Sequence, residues 1–112
     1  MLARANRIVR GADYRAVVRT GSRYRAPHTL SYVRLSPDGG VARFGFIVGK
    51  TVGSAPVRNT VRRRLKAAAY ALLPETPPGA DIVIRALPAA AQASWSTLHQ
   101  EISQAIHRAG TR

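Results

Sequence analysis

The sequence predicts an α+β fold, a two-layer sandwich of helices packed on a small sheet, and three observations support it. Apolar residues recur at helical spacing in residues 11–20, 54–73 and 94–109, whereas they alternate in residues 29–36 and 41–48. Turn-forming residues separate these segments at Gly21, Pro37–Gly40 and Pro77–Gly79. The 112 residues, 46% of them hydrophobic, suit one domain, which we take to span residues 1–112.

The first half is predicted to hold one helix and a strand pair. A helix is expected over residues 11–20, with Asp13 near its start and Gly21 as its stop, and its apolar face comprises Tyr14, Val17 and Val18. Residues 29–36 and 41–48 alternate as strands do, and Pro-Asp-Gly-Gly joins them. We therefore expect these two strands to form an antiparallel hairpin.

The second half is predicted to continue as helix, strand, helix. Ser54 is expected to cap a helix that has Pro56 in its first turn and ends near Leu73. Residues 81–86 form a short strand, apolar enough to be central, and a connector at 88–93 follows. Ser94 then caps a last helix whose apolar stripe is expected in the core: Trp95, Leu98, Ile102, Ala105, Ile106 and Ala109.

The charge balance predicts a polyanionic partner. Eighteen Lys and Arg residues against five Asp and Glu residues give a formal charge of +13, and sixteen of the bases are arginines. The longest apolar run, residues 67–73, is far too short for a membrane span, and the arginine-rich start has no apolar signal core. The absence of cysteine favours a reducing compartment, and we expect a cytoplasmic protein without a membrane partner.

The basic residues concentrate on one helix face. Residues 39–74 hold seven bases and no acid, and one side of the helix carries Arg58, Asn59, Arg62, Arg63 and Lys66 opposite the apolar stripe Val57, Val61, Leu65, Ala68 and Leu72. Like charges at this spacing repel one another, so a purely structural helix would include acids among them. A solvated face and a membrane-surface helix are the alternatives, but the apolar side lacks Trp and Phe.

Three motifs for chemistry are absent or incomplete. Gly49-Lys50-Thr51 resembles the end of a phosphate-binding loop, but only three residues separate Gly45 from Gly49 where the motif needs four. The three histidines are scattered and lack neighbours that would complete a metal site. The acids lie on separate elements, so we expect no metal-assisted hydrolysis by this chain alone: Asp13, Asp38, Glu75, Asp81 and Glu101.

Residues 49–65, GKTVGSAPVRNTVRRRL, resemble a family signature. They are similar to the S-K-K-x-G-N-A-V-x-R-N-R-x-(K/R)-R run, or RNR motif, of the bacterial ribonuclease P protein component. The likeness extends over nearly the whole chain, including residues 12–18 in the first helix and 81–85 in the last strand. Departures from the signature occur at four matched positions, Gly49, Thr51, Ser54 and Thr60, and Val18 stands where the family often has an aromatic residue.

The resemblance implies a ribosomal protein S5 domain 2-like fold with the order αβββαβα and a left-handed βαβ crossover, an exception to the usual handedness. It also implies a function. In this family the chain is the protein component of an endoribonuclease in which an RNA subunit removes the 5′ leader of precursor tRNA. Catalysis and Mg²⁺ then belong to the RNA, and the resemblance assigns no catalytic residue and no metal ligand to this chain.

The resemblance also implies two binding sites. By their matching positions in the family, the basic helix face and the lysine before it are expected to contact the catalytic RNA. These residues are Lys50, Arg58, Asn59, Arg62, Arg63 and Lys66. The 5′ leader of precursor tRNA is expected in a cleft between the first helix and the sheet, with Tyr14, Val18 and Tyr32. No obligate protein partner is expected. A generic RNA-binding module, such as a ribosomal protein, and an enzyme acting without RNA are the alternatives.

Overall fold

A computed structural model describes residues 1–110 and confirms a mixed α+β fold. Within these residues the structure has four strands, three α-helices and short 3-10 turns. The third strand of the first half, which the alternation pattern leaves open, lies directly after the first helix. The elements in chain order are α1 (Gly11–Thr20), β1 (Ser22–Arg25), β2 (Thr29–Leu35), β3 (Arg43–Ile47), α2 (Ala55–Leu72), β4 (Ala80–Ala86) and α3 (Trp95–Gly110).

The sheet order is β1-β2-β4-β3, so the predicted hairpin of β2 with β3 is wrong. Strand β4 lies between them, antiparallel to β2 and parallel to β3. The reason is hydrophobic: Ile82, Val83 and Ile84 are fully buried from both sides, which requires a central position. The glycine-rich connection between β2 and β3, residues 36–42, still reverses the chain. It contacts the residue before β4, where the Gly79 amide donates to the Gly40 carbonyl at 2.8 Å.

Helices cover both faces of the sheet. Helices α2 and α3 pack on the face that holds Val33, Phe44, Ile82 and Ile84. Helix α1 packs on the other face through Tyr14, Val17 and Val18, as predicted, against Leu30, Tyr32 and Val83. The two-layer prediction is therefore incomplete, since α1 adds a partial third layer over β2 and β4.

The N-terminal segment runs along the free edge of β3. The Ile8 amide donates to the Phe44 carbonyl at 2.8 Å, and the Asn6 side-chain amide donates to the Ala42 carbonyl at 2.8 Å. Leu2 is buried in the core on the α2 side. These contacts fix the segment beside α2, although its sequence has no periodic pattern that predicts this.

The helix ends follow the predictions in part. Ser94 caps α3, since its hydroxyl accepts a hydrogen bond from the Thr97 amide at 3.1 Å. Ser54 occupies the cap position of α2, but its side chain makes no capping hydrogen bond. The core stripe of α3 is confirmed except at Trp95, which is 41% exposed because it begins the helix and stacks beside His99.

Asp81, at the start of β4, joins that strand to both of its neighbours, β2 and β3, by ion pairs. Both of its carboxylate oxygens accept hydrogen bonds from the Arg43 guanidinium at 2.9 Å, and Arg34 donates to it at 3.3 Å. Arg43 also reaches Asp13 of α1 at 3.4 Å. Burial opposes ionisation of Asp81, but the hydrogen bonds and charge of Arg43, then those of Arg34, outweigh burial and lower its pKa.

Asp81→Asn should lower the free energy of unfolding by about 2 kcal/mol at pH 7, because charged hydrogen bonds are lost. Since the folded-state pKa lies below the unfolded value, this stabilisation is present above about pH 4 and is lost as the pH falls through the folded-state pKa. Urea unfolding at pH 7 and pH 2.5 measures the difference in free energy of unfolding between the Asp81→Asn variant and the unmodified chain. Asp38→Asn, in the exposed turn, is the control. If Asp81→Asn lowered the free energy of unfolding equally at both pH values, the stabilisation would not come from the ionised Asp81 carboxylate.

Candidate nucleic-acid interface

Helix α2 presents Arg62, Arg63 and Lys66 to a groove, which we call the α2 groove. Its volume is about 570 Å³, and its other wall is the N-terminal segment. The apolar stripe of α2 packs inward, with Val61, Leu65, Ala68 and Leu72 fully buried. The predicted division of this helix into two faces is thus confirmed. The lining residues are Met1, Leu2, Arg7, Asn59, Arg62, Arg63, Lys66, Ala67 and Tyr70.

Within residues 1–110, no carboxylate forms an ion pair with the cations of the α2 groove. Asp13 and Asp81 are engaged by Arg43. Glu101, buried in α3, contacts His28 at 2.6 Å and accepts a hydrogen bond from the Thr29 hydroxyl at 2.7 Å. Glu75 contacts His107, and Asp38 lies in an exposed turn. The positive charge of the groove is therefore left for an external anion.

Two of the predicted contact residues lie before or at the start of α2, outside the groove lining. Lys50 is exposed in a 3-10 turn, and Arg58 donates to the Gly53 carbonyl at 3.0 Å. Gly53 has a φ of 153°, which L side chains rarely adopt, and an added Cβ would lie only 3.0 Å from the Val57 side chain. Arg58 thus also holds the loop that leads from β3 into α2.

Inside the groove, the amide oxygen of Asn59 accepts a hydrogen bond from Arg62 at 3.0 Å, which orients that guanidinium. Thr60, where the family signature has arginine, donates instead to the Pro56 carbonyl one turn earlier in the helix. The Thr60 hydroxyl is therefore hydrogen-bonded within α2. Arg64, on the flank of the apolar stripe, donates to the Ala93 carbonyl at 2.9 Å and joins α2 to the start of α3.

A second groove lies between α1 and the sheet, and we call it the α1 groove. It has a volume of about 370 Å³ and is lined by Tyr14, Arg15, Val18, Arg19, Ile47 and Arg85. The Tyr14 hydroxyl accepts a hydrogen bond from the Phe46 amide at 3.2 Å. Gly45 permits this close approach, because a Cβ there would lie 2.6 Å from the tyrosine ring.

Tyr32 lies below the α1 groove and is only 5% exposed. The guanidinium carbons of Arg23 and Arg85 lie 5.9 and 6.0 Å from its ring centroid, which is cation–π range. Almost no surface of the Tyr32 ring is exposed, and the ring supports Arg85, which lines the α1 groove, and Arg23 of β1. The expected part of Tyr32 in leader binding stays a prediction.

Sequence reasoning missed residues in both grooves. Tyr70 follows Lys66 by one helical turn, so its spacing on α2 could have placed it on the basic face. Arg7 carries no such signal, because it reaches the α2 groove only through the pairing of its segment with β3. The arginines of the α1 groove come from α1 and β4, which a periodicity argument does not bring together.

Residues 1–110 carry no candidate metal site and no helix able to span a membrane. No group of three His, Asp or Glu side chains there is placed to share a metal ion. No helix in that range combines the length and apolar character that crossing a bilayer requires. What the two grooves offer chemically is arginine and lysine charge beside aromatic rings, a combination suited to phosphate and nucleobases.

Solved structures share this fold. A Staphylococcus aureus RNase P protein, a mutant with defective mRNA degradation activity, superposes with a TM-score of 0.83 over 95% of this chain and 89% of its own, at 21% identity. The RNase P protein from Thermotoga maritima gives a TM-score of 0.78 over 91% of this chain and 96% of its own, at 18% identity. At these identities the likeness concerns the fold.

Sequence relatives extend the likeness to the family. The ribonuclease P protein component of Clavibacter michiganensis subsp. michiganensis is 49% identical over 97% of this chain and 96% of its own length. That of a Mycobacterium species is 40% identical over 100% and 96%. The model of the Ribonuclease P family matches residues 2–110. The chain therefore belongs to the ribonuclease P protein component family.

Proposed function

We propose that this chain is the protein subunit of ribonuclease P. It binds the catalytic RNA subunit and the 5′ leader of precursor tRNA, and it assists the endonucleolytic removal of the leader that gives the mature 5′ end. The observation that carries the proposal is the α2 groove. Two of its four cationic side chains, Arg62 and Arg63, lie in the family signature, and none of the four has a carboxylate partner within residues 1–110.

The α2 face is proposed to dock on the catalytic RNA. Asn59, Arg62, Arg63 and Lys66 share one wall of a preformed groove, and Lys50 and Arg58 lie next to it along the chain. Cationic side chains of this kind contact phosphates, which position a protein on RNA without reading its sequence. Because Arg58 also holds the Gly53 loop, its docking role includes fixing the start of α2.

The α1 groove is proposed to take the single-stranded leader. Tyr14 and Val18 give it an apolar side, while Arg15, Arg19 and Arg85 supply charge for the backbone phosphates. Aromatic and electrostatic contacts tolerate any base sequence, which suits a protein that meets many different leaders. Tyr32 contributes by holding Arg23 and Arg85 in place.

Catalysis is proposed to belong to the RNA subunit, with no catalytic residue in this chain. Mg²⁺ held by that RNA supplies the activated nucleophile and stabilises developing charge. The protein's cations neutralise nearby phosphates, which lets the RNA fold and gather Mg²⁺ at lower concentration. We place the protein in the cytoplasm as one domain of 1–112, and the S5 domain 2-like class with a left-handed crossover stays a prediction.

The first prediction concerns activity. The full-length chain should stimulate precursor-tRNA cleavage by an in vitro transcribed bacterial ribonuclease P RNA at low Mg²⁺, where that RNA alone is slow. The chain without RNA should give no cleavage at any Mg²⁺ concentration. Single-turnover assays with 5′-labelled precursor measure both. Cleavage by the protein alone would contradict the proposal, and binding without stimulation would favour a generic RNA-binding module.

The second prediction concerns docking. Arg62→Ala combined with Arg63→Ala should weaken binding to the catalytic RNA and reduce the slope of log K against log[salt] by about 0.7–0.9 for each lost phosphate contact. Filter binding over a salt series measures the slope. Arg10→Ala combined with Arg25→Ala removes the same charge at exposed positions outside the α2 groove and serves as control. Equal slope changes for both pairs would remove the α2 face from the docking model.

The third prediction concerns the leader. Tyr14→Ala should weaken holoenzyme binding of precursor tRNA by about 1–3 kcal/mol, the value of one aromatic contact with a base, and leave mature tRNA unaffected. Tyr14→Phe keeps the ring and should retain most of the affinity. The measured quantity is the ratio of the two affinities, because a folding defect lowers both equally. An unchanged ratio would argue against leader binding in the α1 groove.

A further inference from the structure

Tyr70 places an aromatic ring at one end of the α2 groove. The residue is 51% exposed and lies on the same side of α2 as the basic residues that line the groove. Asn59 and Tyr70 mark the two ends of the α2 wall and are separated by 70 − 59 = 11 residues, or about 16 Å at 1.5 Å per residue. The ring therefore continues the basic face and stays accessible to a ligand in the groove.

The opposite wall of the groove is fixed before any ligand binds. Leu2 is 4% exposed, and on either side of Arg7 the Asn6 side chain is hydrogen-bonded to Ala42, just before β3, and the Ile8 amide to Phe44 of β3. Arg7 thus faces the α2 cations across a groove of about 570 Å³, which falls within the about 300–1,000 Å³ typical of small-ligand sites. A nucleotide fits this volume, and little ordering of the protein is needed to bind it.

The chemistry of the lining selects the kind of ligand. Arg7, Arg62, Arg63 and Lys66 attract phosphate, while Leu2, Ala67 and the Tyr70 ring offer apolar surface beside them. Phosphate-binding cations next to an exposed aromatic ring are typical of sites for unpaired nucleotides, whose bases stack on the ring. A double helix has no free base face to offer, so a paired segment would use the cations and leave Tyr70 unused.

We propose that the α2 groove binds one unpaired nucleotide of the catalytic RNA, with the base stacked on Tyr70 and the phosphate between Arg7 and the α2 cations. The inference rests on the proposed function, because it takes the RNA subunit as the partner. It goes beyond that function in two ways: it names the residue on which a base stacks, and it specifies that the RNA bound in the groove is unpaired. The N-terminal segment is then part of the RNA site through Arg7.

The test separates stacking from charge. Tyr70→Ala should raise the Kd for an in vitro transcribed bacterial ribonuclease P RNA by about 5- to 150-fold, which corresponds to the 1–3 kcal/mol of one stacked base. The salt slope should not change, because no phosphate contact is lost. Tyr70→Phe should bind within about twofold of the unmodified chain, while Tyr70→Leu, which keeps apolar volume without a π face, should resemble Tyr70→Ala.

Two controls identify the ligand class. Trp95→Ala removes another exposed aromatic residue, on α3 outside the groove, and should leave the Kd unchanged. Heparin, a polyanion without bases, should bind the Tyr70→Ala and unmodified chains equally but bind Arg63→Ala less well.

The possible results separate the Tyr70 stacking site from the docking of α2 on the catalytic RNA. If Tyr70→Ala binds the RNA normally while Arg62→Ala with Arg63→Ala binds weakly, docking stands and the stacking site is refuted. If neither changes binding, the docking surface itself is refuted. An equal loss of heparin and RNA binding by Tyr70→Ala would show a general anion groove and overturn the nucleotide assignment.

Discussion

The position of β4 at the centre of the sheet is the constraint on which the rest of the structure depends. Ile82, Val83 and Ile84 are fully buried on its two faces, so it separates β2 from β3 and brings helices to both sides. Asp81 secures this position by ion pairs with Arg34 of β2 and Arg43 of β3. The parallel pairing of β3 with β4 then requires α2 to cross between them, which places its basic face beside the N-terminal segment.

The same ion pairs shape the charge of the surface. Four of the five acids pair with Arg34, Arg43, His28 or His107; they are Asp13, Glu75, Asp81 and Glu101. These acids therefore do not neutralise the cations of α2. A net charge of +13 is thereby concentrated on external surfaces, including the α2 and α1 grooves. The ion-paired acids and the cations of the α2 groove are therefore different residues, so substitutions of Arg62, Arg63 or Lys66 can test the proposed binding without removing these ion pairs.

The sequence predicts what is local and misses what is non-local. Helical spacing predicts both faces of α2, and the apolar run at Ile82–Ile84 correctly predicts a central strand. The same reasoning joins β2 to β3, because a turn sequence says nothing about a later strand that inserts between them. Tyr32 is buried and Arg7 faces α2 for the same kind of reason, since both depend on contacts between distant segments.

If the α2 groove faces the catalytic RNA, as we propose, tethered cleavage will show it. Since the chain contains no cysteine, Ala67→Cys in the groove and Gln104→Cys on the exposed side of α3 each provide one attachment site for an iron chelate. Hydroxyl radicals generated at residue 67 should cut the ribonuclease P RNA at a few clustered nucleotides, and radicals generated at residue 104 should not. Cuts from residue 104 with none from residue 67 would contradict the account.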